Sequence, residues 1–121
     1  MLKLMKDLPD NVIGVTGEGE ITGSDYENIL IPAVEEKLKN HEKVRFIYHM
    51  GKDFKGFDAK AMFDDTMLGI KHFTAWERIA FVSDHDHYNS MVKFFGHLIP
   101  GDIKVFKNDE LNDAIKWVSE D

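Results

Sequence analysis

Asp84-His85-Asp86-His87 places in one run the side chains that hold transition metals or move protons, neutral imidazoles beside carboxylates. The spacing argues against a metal. If a helix starts at Asp84, residues two apart point about 200° apart around its axis, so His85 and His87 diverge. Asp84 then reads as the cap of that helix, with acidic side chains favouring its first turn. His49 and Asp53 add further acid and base groups that can share one rim with Asp84 and His85. No nucleophile elbow, metal-ligand triad or cofactor fingerprint accompanies them, so no catalytic residue, metal site or cofactor is assigned and the chain is read as a non-enzyme. Gly14, Gly17 and Gly19 alternate with Glu18 and Glu20, whose charges repel phosphate, and they do not open a helix as a phosphate loop must.

The elements that position these residues follow from apolar periodicity. Residues 2–6 alternate weakly, and Leu8-Pro9-Asp10-Asn11 supplies turn chemistry before a strand from Val12 to about Glu18, which predicts a β-hairpin. Thr22 with Asp25 has the form of a capping box. Tyr26, Ile29, Leu30, Ala33, Val34 and Leu38 then keep helical spacing. Pro32 lies inside that helix on the side away from the stripe and predicts a kink. Lys43 to Met50 reads as a central strand. Asp58 caps a second helix with the stripe Ala59, Met62, Phe63, Thr66, Met67 and Ile70, leaving Lys60, Asp64, Asp65 and Lys71 solvated. Arg78 to Val82 suits a strand covered on both faces. A third helix carries Tyr88, Met91, Val92, Phe95 and Ile99 and stops at Pro100-Gly101. Ile103, Val105 and Phe106 form a last strand, and Asn108 caps a final helix with Leu111, Ala114, Ile115 and Val118. The order ββαβαβαβα predicts a single α/β domain over residues 1–121, a mostly parallel sheet with an N-terminal hairpin and helices packed on it.

Composition narrows the function. Fifteen Lys and Arg against 22 Asp and Glu leave a net charge of −7 with no basic cluster, which disfavours nucleic acid. There is no cysteine, hence no disulfide, thiolate chemistry or cysteine-based zinc site. The opening MLKLMKDLPD turns acidic too early for a signal peptide, and no apolar run is long enough for a membrane span, so a cytoplasmic protein is expected.

The segments DLPDNVIGV, DYENILIPAVEEKL, KVRFIY, GKDFKGFDAKAMFDDTMLGIKHF, WERIAFVSD and VKFFGHLIPGDIKVF, nearly the whole chain, resemble the SpoIIAA-like family of small bacterial proteins. The resemblance implies a fold related to the STAS domains of anti-sigma-factor antagonists and, more distantly, to lipid-binding CRAL-TRIO domains. STAS antagonists carry a phosphorylatable Ser or Thr after the central strand, in a pattern like Asp-Ser-Ser-Gly. Here the matching stretch, Lys52-Asp53-Phe54-Lys55-Gly56-Phe57-Asp58-Ala59, has no hydroxyl residue, so a phosphorylation switch is not expected at that position.

In such a sheet, partners gather beyond the carboxyl ends of the parallel strands. That rim gathers the loops near Gly17 to Gly23, Met50 to Asp58, Ser83 to His87 and Lys107 to Asp109. Phe54 and Phe57 flank Gly56 in a polar loop, which reads either as a pair of docking anchors or as two rings folded back to seal the core. Asp53, Phe54, Gly56, Phe57, Asp58, Asp84 and His85 are accordingly the expected surface for a protein partner. Phe94 and Leu98, near Gly96, read as a homodimer surface or as the seat of the C-terminal helix and Trp117. The leading reading is a regulatory protein-binding module that docks its partner through the Met50 to Asp58 loop and the first turns of the second helix. The alternative is a small-ligand or lipid carrier whose Met and Phe side chains line a cavity, for which 121 residues leave little volume beside a packed core.

Overall fold

The computed structural model describes residues 1–120. Strands β1 (Leu2–Leu4), β2 (Val12–Gly17), β4 (Val44–Met50), β6 (Trp76–Val82) and β7 (Asp102–Phe106) form a sheet in the order β1-β2-β4-β6-β7. The β1–β2 pair is the antiparallel hairpin, and the other three pairings are parallel. β4 is central, as its run of β-formers predicts, and alternates cleanly: Val44, Phe46, Tyr48 and Met50 enter one core, and Ile47 enters the other.

The first face is covered by a helical segment made of α1 (Gly23–Asp25), a π-turn over Tyr26–Leu30 and α2 (Ile31–Leu38). The Thr22–Asp25 capping box is present, with the Asp25 carboxylate accepting the Thr22 N–H at 2.8 Å. Pro32 is accommodated by the π-turn, in which the Ile31 N–H donates to the Tyr26 carbonyl. This seam puts Pro32 in the first turn of α2, where its missing donor costs little. Two elements of two residues each, β3 (Glu20–Ile21) and β5 (Gly56–Phe57), pair in parallel above the strand ends. The same face carries α3 (Ala59–Lys71) and α4 (Asp86–Gly96), and the opposite face carries α5 (Leu111–Ser119). No helix among the described residues is long and apolar enough to cross a membrane.

The orientation of α3 corrects the sequence expectation. Asp58 does cap it, accepting the Ala61 N–H at 2.7 Å. Its buried side, however, is Ala61, Asp64 and Leu68, while Met62, Phe63 (59% exposed), Met67 and Ile70 (64% exposed) reach solvent. The helix leans on α1, where Gly23 allows the stem of Lys60 to approach closer than any Cβ would permit. One oxygen of the buried Asp64 pairs with Lys60 Nζ at 2.6 Å while the other has no partner among the described residues, so a polar residue takes, at some cost, the place that the apolar stripe was expected to fill.

Further corrections concern the caps. α4 starts at Asp86 rather than Asp84, behind an extended His85 whose side chain makes no cap bond, and it ends at Gly96, ahead of Pro100. Asp84 instead accepts the backbone N–H of Asn108 at 3.0 Å, and the Ser83 hydroxyl accepts the N–H of His85 at 2.9 Å. The C-terminal helix is entered through a 3₁₀ turn over Asn108–Glu110, held by the Glu110 carboxylate on the Lys107 N–H. Its far end is clamped by two arginines. Arg45, buried in β4, donates to the carbonyls of Val118 (3.0 Å) and Glu120 and pairs with Glu77 at 2.6 Å. Arg78 donates to the carbonyls of Trp117 and Glu120. The reading of Phe94 and Leu98 as the seat of α5 and Trp117 is likewise overturned: Phe94 is exposed on α4 and Leu98 in the turn after it, while Trp117 lies on the other face against Phe106.

Candidate functional site

Because α3 leans toward α1, it stands away from α4, and the two helices flank an open cleft of about 500 Å³ on the first face of the sheet. Its floor is the aromatic and aliphatic side of three strands. Phe46 and Tyr48 of β4 pack at 5.3 Å between ring centroids, Phe46 meets Trp76 of β6 at 5.9 Å, Tyr48 meets Phe81 at 6.0 Å, and Ile79 and Ile103 extend the floor outward. Met62, Leu68 and Ile70 of α3 form one wall, and Tyr88, Met91, Val92 and Phe95 of α4 the other. The pliable Met side chains suit a pocket that adapts to its contents.

One carboxylate interrupts this apolar lining. Asp65 accepts a hydrogen bond at 2.8 Å from the Tyr26 hydroxyl, and the Tyr26 and Tyr48 hydroxyls are themselves 2.8 Å apart. With Tyr26 donating to Asp65, Tyr48 donates to Tyr26, giving a chain of three groups at the cleft wall. Burial, together with the nearby carboxylate, pushes both phenols far above their usual range, so they remain donors. The Asp65 carboxyl is reached from the cleft mouth but crowded by protein, and this loss of hydration raises its pKa against the lowering effect of Tyr26. Among the cleft-lining residues there is no Lys, Arg or His to balance it.

An aromatic cluster borders the cleft toward the strand ends, and here the loop residues singled out from the sequence appear. Phe54 is 4% exposed and packs edge-to-face on Phe57 (5.2 Å), His85 (5.2 Å) and Tyr88 (5.5 Å). Phe57 is half-buried, lines the cleft and meets Tyr48 at 6.1 Å. The reading of Phe54 as a protruding anchor is therefore corrected in favour of the sealing role. Gly56 has φ +131°, a conformation other residues rarely adopt, which lets β5 turn back beside β3. Asp58 is occupied as the α3 cap. Asp53 is exposed, with its carbonyl accepting the Gly19 N–H, and Asp84 and His85 are exposed on the following loop.

His49, the remaining candidate, is half-buried at the end of β4 with Nδ1 3.2 Å from the Thr16 hydroxyl. Burial lowers its pKa, opposed by the charges of Asp84 and Glu18. A lowered folded value means that the unfolded chain, titrating near 6.5, holds more protons in the window just below that pH. The stability His49 contributes is complete above about pH 6.5 and declines as pH falls through the window. Urea midpoints measured from pH 7.5 downward should drop less for His49→Gln than for the native chain, and an unchanged slope refutes the assignment. Among the described residues no three His, Asp or Glu side chains gather as a metal set.

The cleft itself was not anticipated from sequence. The signal present was a surplus: Met62, Phe63, Met67, Ile70, Phe94, Phe95 and Leu98 exceed what one face of each helix can bury, and Asp65 sits among them.

Comparison with known proteins gives a family model described as SpoIIAA-like that matches residues 12–119. Among solved structures, the chain is similar to an uncharacterized protein of the DUF3478 family with a SpoIIAA-like fold from Shewanella loihica PV-4, whose crystal structure is at 2.25 Å resolution. The TM-score is 0.75 at 21% identity, over 98% of this chain and 92% of that one. No curated protein matches the chain in sequence.

Proposed function

Since this chain belongs to the SpoIIAA-like family, we propose that it is a non-catalytic binding module whose working surface is the cleft between α3 and α4, where it holds an apolar small molecule or lipid. The observation that carries this reading is the cleft: about 500 Å³, floored by aromatic side chains, with one polar chain of groups at its wall. Those are the attributes of a pocket that buries an apolar body and orients one polar end. The absence of a phosphorylatable hydroxyl in residues 52–59 fits a module switched by occupancy of the cleft rather than by phosphate on that loop.

Met91→Trp tests it, because Met91 is a half-buried cleft-wall residue whose replacement fills space without removing a core contact. The neutral fluorophore N-phenyl-1-naphthylamine should bind the native chain with enhanced emission and lose about tenfold in affinity to Met91→Trp at unchanged melting temperature, a tenfold loss being 1.4 kcal/mol. Equal binding to both chains, or to neither, overturns the reading.

A protein partner is the second reading, favoured by Phe94, which is 64% exposed on α4 and does not line the cleft, with Leu98, 57% exposed just beyond the helix, bordering both that surface and the cleft. Asp53, Asp84 and His85 on the strand-end rim, at the opposite end of α4 from Phe94, would supply a separate polar margin. A partner or second copy on this side, detected by native mass spectrometry and lost in Phe94→Asp but not in Met91→Trp, separates it from the cleft.

A further inference from the structure

The charges around the cleft narrow its occupant. The lining contains one carboxyl, Asp65, and no cation. One Asp65 oxygen is engaged by Tyr26, and the Tyr26–Tyr48 pair directs its donors toward that oxygen and not toward an incoming ligand. Asp65 is the one ionisable carboxyl of the lining, which holds no cation; the unpartnered Trp76 indole N–H and the Tyr88 hydroxyl are its neutral donors and bring no charge to balance a ligand anion. A ligand anion entering here would lose hydration beside a like charge in apolar surroundings, whereas a cation would gain a partner. The chain as a whole carries a charge of −7, which steers in the same direction.

We propose, resting on the cleft reading above, that the occupant is a single-chain amphiphile with a protonated amine head, its alkyl chain on the Phe46, Trp76 and Ile79 floor and its ammonium on Asp65. The selection is made by Asp65: an alcohol head keeps a hydrogen bond but not the charge, and a carboxylate head enters only by taking up a proton. Burial raises the proton affinity of Asp65, and an ammonium beside it would act in the opposite direction, favouring the carboxylate.

The experiment is calorimetric titration of the full chain at pH 7.5 with decylamine, decanol and decanoate. Decylamine should bind about tenfold tighter than decanol, with decanoate weakest, a tenfold step corresponding to 1.4 kcal/mol. Asp65→Asn retains a carbonyl acceptor for Tyr26 and so keeps the fold. It should bring amine and alcohol within about twofold of each other, a neutral amide holding no charge preference. Thr66→Lys, at an exposed cleft-lining position, supplies a cation and should move the preference toward decanoate, giving a second arm should Asp65→Asn fold poorly. Decanoate binding the native chain as tightly as decylamine overturns the proposal while leaving the cleft reading intact. An amine preference that persists in Asp65→Asn overturns it too, because the overall negative charge then accounts for the order. No binding of any of the three overturns both.

Discussion

Gly101→Ala is expected to lower the melting temperature by about 10 °C, following from a loss near 3 kcal/mol at the upper end of overpacking costs. Gly101 crosses the start of β6 so closely that a Cβ would overlap the Trp76 carbonyl oxygen, with the Trp76 carbonyl carbon at 3.1 Å and the Glu77 oxygen at 3.2 Å. These are backbone atoms of a sheet strand, and Trp76 is itself paired with Val44 of the central strand, so relief by movement of a side chain is not available. Gly69→Ala is the internal control. Its Cβ meets nothing within 4 Å, it lies inside α3, and its melting temperature should stay level or rise by the helix-propensity gain of about 0.5–1 kcal/mol. Differential scanning calorimetry of the two variants decides the matter, and equal melting temperatures would remove the argument from steric overlap.

Arg45→Ala should cost about 3 kcal/mol and loosen α5 before the rest of the molecule. The pair with Glu77 contributes little of this, because Glu77 is 42% exposed and solvent screens it. The larger share comes from the buried guanidinium, which satisfies the Val118 carbonyl in the last turn of α5 and fills space under it. Deleting it leaves a buried acceptor unpaired and a void between β4 and Val118. Arg78 still holds Trp117 and Glu120, so α5 should fray at its C-terminal end rather than detach. Urea unfolding gives the energy, and amide exchange gives the place. Protection lost uniformly across the sheet, with α5 no worse than β4, would contradict the clamp.

How far the sequence could be read depends on whether each interaction leaves a periodic trace. The strands read at Lys43–Met50 and Arg78–Val82, the hairpin and the caps Thr22 and Asp58 were legible because alternation and N-cap chemistry are local, although the second strand begins two residues earlier, at Trp76. The pairing of Glu20–Ile21 with Gly56–Phe57 was not, since two-residue strands have no period and their partners lie far apart in sequence. The face of α3 was misassigned because the helix has apolar residues on two sides, and tertiary packing against Gly23 chose the side bearing Ala61 and Leu68. Asp84 followed its propensity to cap, but the backbone it caps belongs to Asn108, reached only once β6 and β7 are adjacent. The arginine clamp was invisible for the same reason, as main-chain carbonyls carry no sequence signature. Of the surface expected to meet a partner, Phe54, Gly56 and Asp58 proved to be committed to structure, whereas Asp53, Asp84 and His85 remain open to solvent.

The two tryptophans lie on opposite sides of the sheet, and this gives each core its own optical reporter. Trp76 is 5% exposed, stacked near Phe46 under the cleft, and its emission should be blue and sensitive to whatever enters there. Trp117 is half-buried on the α5 side with Arg78 at 5.6 Å and Lys104 at 5.1 Å from its ring, a wetter and more polar setting that favours redder light. With Trp117→Phe or Trp76→Phe, the colour of the remaining indole reports on one layer alone. Ligand entry and loosening of the C-terminal helix then become separable events in one cuvette.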